Sequence, residues 1–171
     1  EIDLENLSLK SDFYNLVYSN TFIHLIDFEN ILKIIYKSLK PNGFMIAAIP
    51  SKDSMYQLLN SMYETDLDLY NGAYQRFNPT IKIEDILNIL KKLNFELPTV
   101  YSDNILIEYS DFDKLLNDVK KLRLSYCFND KKKIFEKKQY FQKLENIYKK
   151  NYFNKNYNLE IKMNFLSAWK K

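Results

Sequence analysis

The chain has 171 residues, 46% of them hydrophobic and 16% aromatic, which predicts one folded domain and excludes a disordered protein. A net charge of +3 from 25 basic and 22 acidic residues does not favour a nucleic-acid partner, and the single cysteine, Cys127, excludes an internal disulfide. No apolar run approaches the roughly 18 residues of a membrane span, so we expect none.

The first third of the chain predicts a strand, a helix and a second strand. The segment YNLVYSN contains an apolar run too short for a helix, which favours a strand over 14–19. Asp27 can cap a following helix whose apolar residues recur at helical spacing, and Pro41 and Gly43 are expected to end it. GFMIAAIP, 43–50, is apolar on both faces, as a central parallel strand should be.

A unit of this kind places ligands beyond the carboxyl ends of its parallel strands. Those ends are Ser19–Asn20 and Ile49–Pro50, and His24, the only histidine, follows the first of them. The sequence therefore puts His24 where a ligand would bind.

The rest of the chain predicts helices and two further strand regions. A helix with apolar residues from Ile83 to Leu93 is expected to open at Thr80, and 95–109 predicts one or two strands. Asp111 can cap another helix, and 131–150 predicts a third. The last segment alternates as a strand, with Leu159, Ile161, Met163 and Phe165 on one side and Glu160, Lys162 and Asn164 on the other.

These segments carry a family resemblance. The stretch from DLENLSLKSDFYNLVYSN to LKPNGFMI is similar to the middle of class I S-adenosylmethionine (SAM) dependent methyltransferases. KDSMYQL, NGAYQRFNP, NFELPTVYSDNILIEYSDFDKLLNDVKKL and LEIKMNFLSAWK resemble a narrower branch, that of the mitochondrial complex I assembly factor 5 and its alphaproteobacterial relatives. That branch also resembles the malonyl-carrier-protein methyltransferase of biotin synthesis.

The resemblance implies an α/β fold with part of a Rossmann-like sheet. It implies an antiparallel terminal strand and a helical insertion at about 111–150, within a single partial domain spanning 1–171. The glycine-rich loop that holds SAM in the family has no counterpart, because the chain has two glycines, Gly43 and Gly72, and neither lies in a G-x-G. We therefore expect the C-terminal part of a domain, with an open sheet edge and uncovered apolar helix faces, and an isolated chain that is either poorly stable or oligomeric.

The same resemblance assigns candidate site residues. The cofactor side would be Asp3, Leu4, Ser19, Asn20 and His24, with Asp3 near the adenine amine. The substrate side would be Tyr56, Glu64 and Arg76. Loop chemistry, ion pairs and packing are ordinary alternatives for each of these residues.

For His24 three roles stay open: packing over SAM, a buried structural imidazole, and a general base with an ordinary pKa near 6.5. A single histidine and a single cysteine do not supply the ligand sets of common zinc or iron sites, so we expect no metal site.

The predicted function is that of a SAM-dependent methyltransferase-like protein acting on a small molecule or a protein, with a possible link to a respiratory-complex subunit. The resemblance leaves methylation and arginine hydroxylation both open. The alternative is a non-catalytic assembly or interaction protein that no longer binds SAM. We expect a bacterial cytoplasmic location, or alternatively the mitochondrial matrix.

Overall fold

The computed structural model describes residues 7–25, 27–77, 81–121 and 136–171. In chain order the elements are β1 (Tyr14–Asn20), α1 (Phe28–Ser38), β2 (Leu39–Pro50), α2 (Tyr56–Tyr70), α3 (Ile83–Lys92), β3 (Phe95–Tyr109), α4 (Phe112–Lys121), α5 (Lys138–Tyr152) and β4 (Tyr157–Lys170). A short 3-10 turn, Ile23–Leu25, lies between β1 and α1. This order confirms the predicted α/β class, the helical segment within 111–150 and the terminal strand.

The strands form one sheet in the order β1-β2-β4-β3. β1 and β2 are parallel, with Ser19 beside Ala47 and Asn20 beside Ala48. β4 runs antiparallel to β2, and Asn164 lies beside Ile49. The parallel pair and the antiparallel terminal strand are both as predicted.

Local chemistry accounts for the βαβ unit. The Asp27 carboxylate accepts a hydrogen bond of 3.1 Å from the Asn30 backbone N–H, which caps α1 as expected. The helix ends at Ser38, and β2 begins at once with Leu39, four residues before the predicted start at Gly43. Pro41 disfavours helical backbone in the residue before it, so the chain is already extended there.

The contacts divide the chain into two compact units. The first comprises 1–52, 80–103 and 162–171. Its core is one apolar cluster in which α1 and α3 pack on the sheet, and its fully buried residues include Leu32, Met45, Ile86 and Leu90. The second comprises 53–79 and 104–161 and contains α2, α4 and α5. The single domain over 1–171 stays a prediction.

The second unit has a core rich in tyrosine. Tyr148 is fully buried and its ring lies 5.3 Å from that of Phe112, while its hydroxyl donates to the backbone carbonyl of Asn158. Tyr157 contacts the same two rings. The Tyr148 hydroxyl therefore finds a polar partner at the rim of an otherwise apolar core.

Two helix starts differ from prediction. α3 begins at Ile83 after Lys82, which makes no side-chain cap, and Thr80 lies outside the described residues. α5 begins at Lys138 rather than at 131, and 131–135 also lie outside the described residues. By contrast, Asp111 caps α4 as predicted, accepting a 3.0 Å bond from the Lys114 backbone N–H. A charged residue just before an apolar stripe therefore does not show where the helix begins.

Apolar and polar side chains alternate regularly along β4, but the side of the strand that is buried changes partway along it. Leu159, Ile161 and Met163, on the predicted apolar side, are buried, but Phe165 on the same side is half-buried and Asn164 on the other side is fully buried. The Asn164 side-chain oxygen accepts a 2.6 Å hydrogen bond from the Ser102 hydroxyl, which compensates the burial of this amide in part. The predicted division of the side chains between two faces therefore does not determine which of them are buried.

Candidate functional site

The candidate cofactor site lies at the carboxyl end of β1 in the first unit. Ser19 and Asn20 are the last two residues of this strand, and the backbone N–H of Thr21 donates a 2.9 Å bond to the carbonyl of Ala48. Thr21 then takes a left-handed backbone conformation, with φ of 51°, which turns the chain out of the sheet. The turn leads to His24 within four residues.

His24 is buried in this turn without a hydrogen-bond partner. Its side chain is 7% exposed, and neither Nδ1 nor Nε2 has a partner within the described structure. Burial lowers the pKa of His24 to about 4, so the imidazole is neutral near pH 7. The Ser19 hydroxyl oxygen is likewise buried and unpaired.

Unpaired buried polar atoms are uncommon and cost free energy, so they call for a bound partner. Two of the proposed cofactor residues, Ser19 and His24, carry such atoms at the edge of the sheet where α/β folds bind ligands. Both could donate to or accept from a polar ligand such as the amino acid or ribose part of SAM. With its pKa this low, His24 would be a weak general base, which favours cofactor packing over catalysis.

The remaining cofactor candidates, Asp3 and Leu4, lie outside the described residues. Their proposed contact with the adenine stays a prediction.

Two of the predicted substrate residues lie on α2, in the second unit. Tyr56 is 43% exposed, and its ring lies 6.1 Å from that of Tyr152 on α5. Glu64 accepts hydrogen bonds of 3.1 and 3.3 Å from the Asn151 side-chain amide. Glu64 also lines an open groove of about 510 Å³, together with Leu67, Asp68, Lys143, Asn146, Ile147 and Lys150.

Arg76, the third substrate candidate, is held by carboxylates of its own unit. Its Nε donates to Asp66 Oδ2 at 3.0 Å, its Nη2 donates to Asp66 Oδ1, and Nη2 lies 2.7 Å from Glu136 Oε1. Its guanidinium carbon lies 4.4 Å from the centre of the Tyr140 ring. The side chain thus already has a bidentate carboxylate partner within the protein, of the kind that a substrate carboxylate would otherwise supply.

The carboxylates around Arg76 are residues that the sequence did not single out. Asp66 is fully buried and also accepts a 3.1 Å bond from the Tyr74 backbone N–H. Glu136 accepts a 2.6 Å bond from the Tyr70 hydroxyl, which raises the pKa of Tyr70 to about 12. Asp66 sits among other polar residues of α2, so no apolar periodicity could have marked it as buried.

The described residues offer neither a metal-ligand cluster nor a membrane-spanning helix. Within the residues described, no three histidine, cysteine, aspartate or glutamate side chains are grouped as metal ligands would be. In the same part of the chain, no helix is both long and apolar enough to cross a bilayer.

Comparison with known proteins gives sequence relatives. No protein-family profile matches the chain. It is 31% identical to the mitochondrial arginine hydroxylase NDUFAF5 of Dictyostelium discoideum over 109 residues, which are 63% of this chain and 25% of that protein. It is 25% identical to malonyl-[acyl-carrier protein] O-methyltransferase 1 of Coxiella burnetii over 134 residues, 77% of this chain and 45% of that enzyme. The chain spans less than half the length of either relative.

Comparison with solved structures identifies the fold. A Bacillus halodurans protein described as a candidate methyltransferase aligns with a TM-score of 0.58 and 18% identity, over 99% of this chain and 70% of that one. The YcgJ protein of Bacillus subtilis aligns with a TM-score of 0.60 and 9% identity, over 98% of this chain and 68% of that one. The chain is therefore related in sequence to NDUFAF5 arginine hydroxylases and malonyl-carrier-protein methyltransferases, and its sheet is that of the class I methyltransferases.

Proposed function

We propose that this chain supplies one side of the SAM pocket of a methyltransferase-like protein. The observation that carries the proposal is that the buried imidazole of His24 and the Ser19 hydroxyl are both unpaired, just after and at the carboxyl end of β1. Asn20, exposed at the last position of the strand, would add a short polar side chain. The opposite side, which needs a glycine-rich loop, does not come from this sequence.

When bound, SAM would supply a methyl group activated by its sulfonium, which passes to a nucleophile of the acceptor with S-adenosylhomocysteine as the leaving group. The chain's own contribution would be to orient the cofactor at Ser19, Asn20 and His24. Tyr56 and Glu64 stay the candidates for contact with an acceptor, whereas Arg76 is engaged by Asp66 and Glu136. The acceptor would be a small molecule or a protein side chain. The names of the relatives support both, since one is an arginine hydroxylase and one methylates a carrier-protein-bound malonyl group.

The finer assignments are also proposals. A role in respiratory-complex assembly rests on the resemblance to the assembly-factor branch. A mitochondrial location is supported by the Dictyostelium relative, which is mitochondrial, and the bacterial cytoplasm is the other proposal, since the Coxiella relative comes from a bacterium.

Nuclear magnetic resonance tests SAM binding through His24 itself. Because the chain has one histidine, its imidazole gives a single set of resonances, free of overlap. We expect those resonances to move saturably on titration with SAM and with S-adenosylhomocysteine, and calorimetry on the same samples to give matching dissociation constants.

Matched variants separate specific from incidental binding. Asn20→Ala should weaken binding roughly tenfold, as expected for a lost hydrogen bond to a ligand, about 1.4 kcal/mol. Asn30 is an exposed asparagine on α1, so Asn30→Ala should leave the affinity for SAM unchanged. If the folded chain shows no saturable response to either ligand, the cofactor proposal for this chain is wrong and the alternative, a non-catalytic interaction protein, is favoured.

A further inference from the structure

The α2 helix of the second unit exposes an apolar stripe and buries polar residues. Its buried side includes Gln57, Ser61, Thr65 and Asp66. The exposed side has residues at i, i+4, i+7, i+11 and i+14, the spacing of a helix-packing seam. We name these residues the α2 seam: Tyr56 (43% exposed), Asn60, Tyr63 (45%), Leu67 (54%) and Tyr70 (37%). The α2 seam therefore has the pattern of a packing surface, yet its side chains are open to solvent in the structure described.

The α5 helix lies beside α2 and runs antiparallel to it. Near the start of α2, the Asn60 side-chain amide donates a 3.3 Å bond to the hydroxyl of Tyr152, at the end of α5. Near the end of α2, Asp68 Oδ2 lies 2.8 Å from Nζ of Lys143, in the first half of α5. The open groove of about 510 Å³ runs between the two helices, with Leu67 on one wall.

The two helices carry opposite charge. α2 has three carboxylates and no basic residue, a net charge of −3, whereas α5 has four lysines and one glutamate, a net charge of +3. The groove thus has an acidic wall, with Glu64 and Asp68, and a basic wall, with Lys143 and Lys150. Asp68 and Lys143 pair with each other. Within the part of the chain that the structure describes, neither Glu64 nor Lys150 has an oppositely charged partner, because Glu64 accepts only from the neutral Asn151 amide.

A groove of this kind is complementary to a copy of itself. A two-fold axis running along the groove places α2 of one copy over α5 of the other, so that each acidic wall meets a basic wall. The rotation keeps the level of each residue along the helices. Glu64 is level with Asn151, which it contacts at 3.1 Å, so it would come level with the adjacent Lys150 of the second copy. A two-fold axis across the groove would instead set like charges against each other.

The same rotation gives favourable helix packing. Because α2 and α5 are antiparallel within one copy, each helix is also antiparallel to the helix of the second copy that it faces. Four helices arranged in this way form an antiparallel bundle. The α2 seam would then be covered by α5 of the second copy, whose long lysine stems can pack on aromatic rings while their ammonium groups stay at the rim.

We propose that the α2 seam and the basic wall of α5 form the interface of a two-fold dimer, in which a second copy of this chain completes a four-helix bundle and Glu64 pairs with Lys150 of that copy. Glu64 would then serve the interface, as the alternative to contact with an acceptor. The inference goes beyond the proposed function and does not require that SAM binds. A chain that dimerises without binding SAM, or binds SAM as a monomer, would separate the two.

Charge reversal and mixing test the pairing. Sedimentation equilibrium of the 171-residue chain should give twice the 20.6 kDa of one copy. Glu64→Lys and Lys150→Glu should each weaken the dimer roughly tenfold or more, because the two-fold axis repeats each substitution and both new contacts join like charges. A one-to-one mixture of the two variants should dimerise again, since every reversed charge then faces its opposite. The control Lys91→Glu, at an exposed position on α3, should dimerise like the unchanged chain.

An uncharged variant makes the test independent of ion pairs. Leu67→Gln removes apolar surface from the α2 seam without changing any charge, and it should also weaken the dimer. Circular dichroism verifies that each variant remains folded. Three results would overturn the proposal: a monomer at all concentrations, no recovery on mixing the two charge variants, or self-association that these variants leave intact and that Tyr18→Asp on the exposed part of β1 abolishes.

Discussion

Replacement of Arg76 by methionine tests whether this residue is a structural ion-pair partner. The change keeps much of the aliphatic stem over Tyr140 but removes the hydrogen bonds that Arg76 donates to Asp66. Asp66 is fully buried, so its carboxylate would be left with the 3.1 Å bond from the Tyr74 backbone N–H. A buried carboxylate without its counter-charge is costly.

The magnitude follows from these contacts. Breaking a buried ion pair from one side costs about 3–5 kcal/mol of unfolding free energy. Because the Arg76 side chain is 17% exposed and the Tyr74 bond persists, we expect about 2–4 kcal/mol, or a melting temperature lower by roughly 5–15 °C. The double variant Arg76→Met/Asp66→Leu should recover part of the loss, because it removes the fully buried Asp66 charge but leaves Glu136 with the Tyr70 hydroxyl and without its cation.

Thermal and urea unfolding followed by far-ultraviolet circular dichroism measure these changes. Lys143→Met is the matched control, because it breaks an exposed 2.8 Å pair with Asp68 and should cost less than about 1 kcal/mol. If Arg76→Met is no more destabilising than Lys143→Met, then Asp66 is not a buried charge that depends on Arg76. Arg76 would then be available to a substrate, as the sequence predicted.

Three further predictions concern stability in the same assays. The unfolded chain protonates its histidine near pH 6.5, but the folded chain does so only near pH 4. The free energy of unfolding should therefore fall as the pH drops below 6.5, by about 2 kcal/mol at pH 5. His24→Gln should remove this part of the decline. Gly43→Ala should cost about 1–2 kcal/mol, because its Cβ would lie 2.8 Å from a backbone carbonyl oxygen, whereas Gly72→Ala, with nothing within 4 Å, should not destabilise. Asp27→Ala should cost about 1 kcal/mol by uncapping α1; a change below 0.3 kcal/mol, roughly the scatter of such data, would contradict the capping role.

The sequence predicts much of the first unit because its elements follow local rules. The apolar period of α1, the Asp27 cap and the doubly apolar β2 each reflect interactions within a few residues, and the structure confirms all three. The end of β1 was likewise predictable, because a short apolar run bounded by Ser19 and Asn20 leaves little choice. The place of His24 near the end of β1 was predictable because it lies only four residues after Asn20 in the chain.

The carboxylate network of the second unit could not be predicted in this way. Asp66 and Glu136 meet Arg76 only because separate segments are brought together in the fold, at sequence separations that no periodicity records. The change of burial along β4 has the same origin. Alternation fixes which side chains share a face, but what packs on each face, and hence whether Asn164 is buried, depends on tertiary contacts.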